Sequence, residues 1–525
     1  MVTITYILAA VVLLGLCIFI HELGHLLGGR MVGIRAEIFS IGYGKGVLKK
    51  KIGDTTYQLT LIPFGGYCKF YGDEPGESRT GESYEFLSAH PLRRIVTVVM
   101  GPLFNLFFGI VLFFIMNLVG YPVESSRIAI PDFFKSGAYV APAHTAGLMT
   151  GDRIVEISGK RITGFSDIQS NVVFSKGEPL DVAVERDGKI LRFPVTPSRV
   201  SENDYFTIGV MPYGERVLVV DSLENEPAAR AGIEKLDEVK ALDGVPVKTP
   251  ADFVAYIRSH PEKRVVVSLV RRGKSMDVTV APRYREELAL AGFEDGRFKG
   301  TSIEFSITDP DKIKIIKAAI GAKKVRVNDR TVSTYDEFLS VLAQNRGKRV
   351  RIYNGAAEYS ASVEYKKYGF IGVETAIAPE MVTVRHSLPM AAARAIVDPV
   401  DFIVMNLKGL GMLITGKLDV RKNLSGPVRI AKIAGDTAHY RGISSFIILM
   451  AKISIILMVM NLLPIPVVDG SHIIFYLIEM IKGSPINEKV MEKIQFVGVA
   501  LLIMLGVFVV FNDLSFFPFF QKLFN

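Results

Sequence analysis

The sequence predicts a polytopic α-helical membrane protein of about four transmembrane helices, interrupted by a large extracytoplasmic α+β insertion. Three observations carry this reading. Mean hydropathy is +0.31 with 49% hydrophobic residues, yet 22% are charged, so apolar and charged residues must be segregated along the chain. Four stretches are long and apolar enough to cross a bilayer, for which about 20 residues are needed. Between the second and third of them, residue patterns recur at an offset of 85 positions.

The first stretch runs from Ile4 to about Leu27, and the second from Ile95 to Val123, uncharged and preceded by Arg93-Arg94. The third spans about Phe446 to Leu463 and is interrupted by Lys452, for which snorkelling is the available reading. The fourth is Ile494 to Asn512, between Lys493 and Asp513. A shorter Gly-rich run, Phe402 to Gly416, contains Lys408 and reads as an interfacial amphipathic helix. Orientation follows from loop charge. Arg30, Arg35, Lys49-Lys50-Lys51 and Arg93-Arg94 put residues 30–94 in the cytoplasm, and hence the N-terminus, the long 124–442 segment and the C-terminus outside. No basic n-region or small-residue cleavage site opens the chain, so no removable signal peptide is expected.

The excess of 62 Lys+Arg over 53 Asp+Glu has no basic cluster interleaved with aromatics. It reads as membrane-surface charge, with the lipid bilayer as partner and no nucleic acid. The two cysteines, Cys17 and Cys68, make no disulfide framework and have no metal-ligand spacing.

Within the outer segment, Ser158-Gly159 recurs as Asp243-Gly244 and, more loosely, as Asn328-Asp329. Asp167-Ile168 becomes Asp252-Phe253 and then Glu337-Phe338, and the turn Arg186-Asp187-Gly188-Lys189 returns as Arg271-Arg272-Gly273-Lys274. Each copy reads as strand, turn, strand, short helix, then two strands around a Gly turn.

The chemistry concentrates at the end of the first span. His21-Glu22-Leu23-Gly24-His25 is HExxH, which on a helix sets two imidazoles on one face with an acid beside them. The bare pattern recurs by chance in large proteins. Here it follows an uncharged run, Ile4 to Ile20, and an ionisable side chain at membrane depth costs about 2.5–3.5 kcal/mol, so three need a compensating partner. A bound Zn²⁺ is such a partner, and a catalytic zinc has three protein ligands and one open position. The third ligand should come from another segment at similar depth. Asn461 to His472 fits, because Pro464 and Pro466 break the helix where irregular backbone must line a cavity. Asp469 and His472 both qualify; Asp469 is favoured because an acid among apolar helices needs a cation more urgently.

These motifs together resemble the site-2 protease family in its bacterial RseP-like form. They comprise HELGH, Gly101-Pro102-Leu-Phe-Asn105 in the second span and the Asn461–His472 segment, joined by Phe39-Ser-Ile-Gly-Tyr-Gly, Pro63-Phe-Gly-Gly-Tyr67 and Leu424-Ser-Gly-Pro427. The middle resembles that family's tandem PDZ domains, through Ala146-Gly-Leu148 and Gly151-Asp152 in the first copy and Ala231-Gly-Ile233 in the second. The resemblance implies zinc ligands at His21, His25 and Asp469, a general base at Glu22, and a substrate-backbone contact at Asn461. It makes the strands between Ile41 and Phe70, with Gly65, Gly66 and Tyr67, a membrane-associated β-region that pairs with an unwound substrate. It further implies cleavage of single-span membrane proteins, such as anti-sigma factors or remnant signal peptides, in a bacterial cytoplasmic (inner) membrane with the PDZ-like domains outside.

The expected division is a membrane core half over 1–123, PDZ-like domains over 124–213 and 214–290, and a third degenerate copy over 291–378. An interfacial segment over 379–442 and the second membrane half over 443–525 complete it. The third copy departs from the family pattern, which has one or two. Two other classes compete with a protease: a catalytically inactive, membrane-anchored PDZ binding protein, against which the intact HExxH and Asp469 argue, and a zinc transporter, which would need ligands along a continuous pathway.

Overall fold

The computed structural model describes residues 2–73, 80–131, 134, 140–200, 205–271, 273–295, 305–306, 325–353, 358–416 and 426–515. Its longer helices are α1 (Val2–Met31), α2 (Pro91–Val119), α3 (Phe165–Phe174), α4 (Pro250–Ser259), α5 (Tyr335–Gln344), α6 (Leu388–Ile414), α7 (Pro427–Asp436), α8 (Gly442–Leu462), α9 (Asp469–Lys482) and α10 (Glu488–Ser515). Two compact units are present, one formed by Met1–Pro212 with Glu380–Asn525 and the other by Tyr213–Pro379.

In the first unit, four helical stretches are long and apolar enough to cross a membrane: Ile4–Met31, Pro91–Val119, Pro427–Leu462 and Lys493–Asp513. Helices suit this role because lipid offers the backbone no hydrogen-bond partner. Helix α2 begins where the His90 ring accepts from Leu92 N–H and Pro91 fills the first turn, and it stops at Gly120, which has φ of 102°. The expected span to Val123 is therefore cut short. Tyr121–Glu124 is a strand paired with Met381–Val384, so the two chain segments leaving the helices form a ribbon. The third span begins earlier than Phe446, because α7 continues into α8 through a π-helical turn at Thr437–Arg441.

The interfacial helix expected at 402–416 is longer: α6 starts at Leu388 and carries Pro399 inside it. Its Ala391, Ala395 and Pro399 are buried, and Asp398 accepts from Asn117 of α2 at 3.1 Å. Ile396, Val397, Val400, Val404 and Leu407 are exposed, as a helix lying against lipid would present them. Phe402 of α6 places its ring centroid 5.8 Å from the Lys452 ammonium, which gives that intramembrane lysine a cation–π partner.

Between α1 and α2, the strands β1 (Ala36–Ile52) and β2 (Thr55–Phe70) form an irregular sheet. Ile38–Ile41 register against both Thr56–Leu59 and Gly66–Lys69, so the start of β1 lies between the two ends of β2. Among the described pairings, Gly66–Phe70 has a strand neighbour on one side only.

The elements of the repeat keep their offset of 85. Arg153–Ile157, Leu180–Arg186 and Lys189–Val195 in the first unit answer to Glu238–Leu242, Val265–Arg271 and Lys274–Val280 in the second, and α3, α4 and α5 follow the same step. Ser158, Asp243 and Asn328 each take a left-handed turn, with φ of 47°, 47° and 53°. Each copy has its own core, around Phe165 and Ile168, around Phe253 and Ile257, and around Phe338 and Leu342. Arg272 of the second turn lies outside the described residues, as do 296–304 and 307–324 of the third copy and Leu424-Ser425.

The sheets do not divide at the expected 214–290 and 291–378. Val373–Ala378 pairs with Arg216–Ser222, and Ile371 packs among Val217, Phe253 and Val267, so this strand closes the second copy. Arg283–Asp295 pairs instead with Glu358–Phe370, which continues the sheet of the third copy. The third copy is thus inserted into the second, ahead of its last strand. Equivalent bonds mark the closure: Ala143 N–H donates to Ile208 O at 2.9 Å in the first copy, and Ala228 N–H donates to Ile371 O at 3.0 Å in the second. The first two copies also share a two-pronged ion pair on a buried carboxylate, Asp152 with Arg186 and Asp237 with Arg271, every contact at 2.7 Å. The corresponding positions of the third copy are Ala322 and Ala356, which cannot make it.

Candidate active site

The site is assembled where α1 approaches α2 more closely than side chains would allow. A Cβ at Gly24 would stand 2.3 Å from Met100 O, and one at Gly101 would stand 2.4 Å from the His25 ring. Small residues at such a contact let two membrane helices pack backbone to backbone. His21 and His25, one turn apart, bring their Nε2 atoms to 3.1 Å with the rings edge to face.

Their Nδ1 atoms both face α2. His25 Nδ1 lies 3.0 Å from Thr97 O, so Nδ1–H donates to that carbonyl and Nε2 keeps its lone pair. His21 Nδ1 faces the Asn105 amide at 3.4 Å. Asn105 is fully buried, and Ser454 Oγ lies 2.9 Å from its carbonyl and 3.2 Å from its side-chain amide. Asn105 Nδ2 faces His21 Nδ1, and Oδ1 accepts from Ser454 Oγ; turning the amide end for end presents Oδ1 to a protonated Nδ1 when Nε2 is kept for a metal. Neither Thr97 nor Ser454 stood out in the sequence. Asn105 did, as part of a family motif, and its i, i+4 spacing from Gly101 sets both on one face of α2.

Asp469 arrives from the far end of the chain. Helix α8 ends at Leu462, the segment 463–468 is irregular, and Val467 takes φ of 86°, a strained conformation for a β-branched residue. The chain then folds back tightly enough that a Cβ at Gly470 would strike Leu463 O at 2.2 Å. This sets Asp469 in the first turn of α9, with Oδ2 3.2 Å from His21 Nε2 and 3.5 Å from His25 Nε2. Asn461 Nδ2 lies 3.4 Å from His21 Nε2. His472, the competing ligand, sits by the rings of Phe475 and Tyr476 and is not part of the three-residue cluster.

Three acceptor atoms thus converge on one point, and Asp469 Oδ2 is buried without a hydrogen-bond donor. Two neutral imidazole nitrogens and a carboxylate oxygen repel one another unless a cation stands between them. Around a tetrahedral zinc with ligands at about 2.0–2.1 Å, ligand atoms are separated by roughly 3.3 Å. The observed 3.1, 3.2 and 3.5 Å match that edge, so the residues present fit the metal.

Glu22 lies beside this cluster and against the β-region. The Cys68 backbone N–H is a hydrogen-bond partner of its carboxylate, and a Cβ at Gly66 would stand 3.3 Å from Glu22 Cγ and 2.8 Å from Ser40 O. Gly65, with φ of 124°, lies against the Tyr43 ring, and the Tyr67 hydroxyl bonds Gln58 Nε2 at 2.9 Å. The structure therefore brings Gly66 to Glu22, and Gly65 and Tyr67 flank it on the same strand. Both cysteines are free thiols.

The profile of Peptidase family M50 matches residues 9–505. The chain is 27% identical over 522 residues to the "Regulator of sigma-E protease RseP" of Escherichia coli (strain K12), covering 96% of this chain and 97% of that one. To the protein of the same name from Salmonella typhimurium (strain 14028s / SGSC 2262) it is 26% identical over 530 residues, covering 98% and 100%. A Treponema pallidum (strain Nichols) chain, provisionally named a zinc metalloprotease, is 26% identical over 529 residues, covering 97% and 99%.

Proposed function

The chain belongs to peptidase family M50 and is a membrane zinc metalloprotease of the site-2 type, and from that premise we propose that it hydrolyses peptide bonds within the transmembrane segments of single-span proteins. The observation that carries the proposal is the convergence of His21, His25 and Asp469 within 3.1–3.5 Å, beside Glu22, with both histidines and Glu22 on a helix long and apolar enough to cross a bilayer.

In this reading His21, His25 and Asp469 hold the zinc. When bound, zinc polarises the scissile carbonyl and brings the pKa of a water to about 7. Glu22 takes a proton from the attacking water and delivers it to the leaving amine. Asn461, whose amide borders the cluster, donates to the substrate backbone. A transmembrane helix has all its backbone groups paired and must unwind before it is cut. The one-sided strand Gly66–Phe70 offers a place for the unwound segment to pair, with Gly66 next to Glu22. Small residues at Gly65 and Gly66 keep that approach open.

Substrates of this kind include anti-sigma factors already trimmed by another protease, and remnant signal peptides; the names of the relatives support the first. The repeated β-rich copies are PDZ-like domains on the extracytoplasmic side of a bacterial inner membrane, where they filter substrates. The test is cleavage of a reporter transmembrane peptide by the detergent-purified protein. Activity should disappear with a chelator and return with zinc. Zinc-loaded protein that cleaves only soluble peptides would remove the intramembrane assignment.

A further inference from the structure

We propose that Arg94 and Glu479 are positioning residues for the metal centre, setting the helix that carries Asp469 against the helix that orients His25. The inference rests on the metal-site reading above and names what holds one ligand in register with the others.

Arg94 stands one turn before Thr97 on α2, and Thr97 O is the partner of His25 Nδ1. The Arg94 residue is 4% exposed, and its Nη2 lies 2.5 Å from Glu479 Oε1. The same guanidinium is 4.7 Å from the centroid of the Tyr476 ring. Glu479 and Tyr476 are neighbours on α9, the helix that opens with Asp469, and the Tyr476 ring in turn meets His472 and Phe86.

Helix α9 needs such an anchor. It follows an irregular segment, and Ile474, Leu477, Ile478, Met480 and Ile481 are exposed along it. Glu479 is ten residues from Asp469, a lever of about 15 Å, so a tilt of about 5° at the anchor displaces the ligand by about 1 Å. A metal ligand must be held to within about 0.5 Å. A charged hydrogen bond weakens steeply as its partners separate or misalign, so the Arg94–Glu479 contact restrains that tilt.

The pair is also poorly arranged for stability as such. The contact is end-on, and Arg94 Nε has no hydrogen-bond partner. Replacing a buried ion pair of this kind by apolar residues of similar volume is often neutral or stabilising. What the pair supplies is placement.

The experiment uses the full chain in detergent. Zinc dissociation constants come from competition with a chromogenic chelator, and thermal unfolding is followed with and without zinc. The double variant Arg94→Met/Glu479→Leu should unfold no earlier than wild type in the absence of zinc, yet bind zinc about 10- to 100-fold more weakly, the range for groups that orient metal ligands. Arg94→Lys, which keeps the charge, should recover part of that loss. A double variant that binds zinc as tightly as wild type overturns the proposal. If the double variant does not fold, Glu479→Gln decides, since it keeps the shape of the side chain: a weakened affinity supports the proposal and an unchanged one overturns it. A wild-type protein that binds no zinc overturns the metal-site reading, and this proposal with it.

Discussion

The His25 imidazole packs against the α-carbon of Gly101, so closely that a single added methyl would stand 2.4 Å from the ring. That contact lets α2 reach His25 with the Thr97 carbonyl, and it makes position 101 part of the metal site although it bears no side chain.

Gly101→Ala should therefore displace the His25 ring. Zinc affinity should fall about 10- to 100-fold, with cleavage falling in step. Gly109→Ala on the same helix meets Ile455 and is the control for helix contact away from the metal; it should cost stability while leaving zinc affinity unchanged. Equal zinc affinity in the Gly101 variant and wild type would refute the contact.

Asn105→Ala removes the amide that faces His21 Nδ1 and leaves Ser454 without that partner. Metal affinity should drop about 10- to 100-fold. Ser454→Ala keeps the amide but loosens it, so it should fall between Asn105→Ala and wild type. Chelator competition on the three proteins orders them.

The two-pronged ion pairs of the repeat give a stability prediction. Asp237→Ala removes a buried carboxylate and leaves Arg271, which keeps Glu234 and the Gly232 carbonyl, without its two-pronged partner; this should cost about 1–3 kcal/mol. Asp329→Ala removes a 97% exposed carboxylate and should stay within about 0.5 kcal/mol. Denaturant unfolding of the separately expressed 213–379 segment measures both; indistinguishable midpoints would contradict the assignment of Asp237 to that core.

Topology is tested by labelling. With Cys17 and Cys68 replaced, cysteines at the exposed positions Lys50 and Ser484 should react only from the cytoplasmic side, and one at Ser275 only from outside. Outside labelling at Lys50 would invert the orientation and move the metal site to the other leaflet.

What the sequence made legible follows from how local each signal is. His21, Glu22 and His25 declare themselves because a helix fixes their spacing, and the four spans because apolar length is a property of one segment. Asp469 could be paired with them only by depth and by the demand of an acid for a cation, which leaves His472 open; the fold-back at Gly470 brings Asp469 into the cluster with the two histidines. Thr97 was illegible because it acts through its backbone carbonyl. Tyr121–Val123 is apolar and reads as helix, but Gly120 turns it into a strand whose partner is far along the chain. The closing strand of the second copy was hidden for the same reason. Its pairing with Arg216–Ser222 skips a whole inserted copy, and periodicity carries no record of such a skip. The apolar run from Phe402 shows only the second half of α6, which starts at Leu388 and carries Pro399 buried inside it.

The zinc-to-protein ratio of three purified variants, measured beside cleavage of a transmembrane peptide, tests the division of roles at the metal most directly. Glu22→Gln should retain zinc and lose cleavage, because it keeps the shape of a proton acceptor without its basicity. Asp469→Ala should lose both, and His472→Ala should keep both. Should Asp469→Ala hold full zinc while His472→Ala loses it, the third ligand is His472. Should Glu22→Gln cleave at the wild-type rate, the proposed proton transfer by Glu22 is wrong.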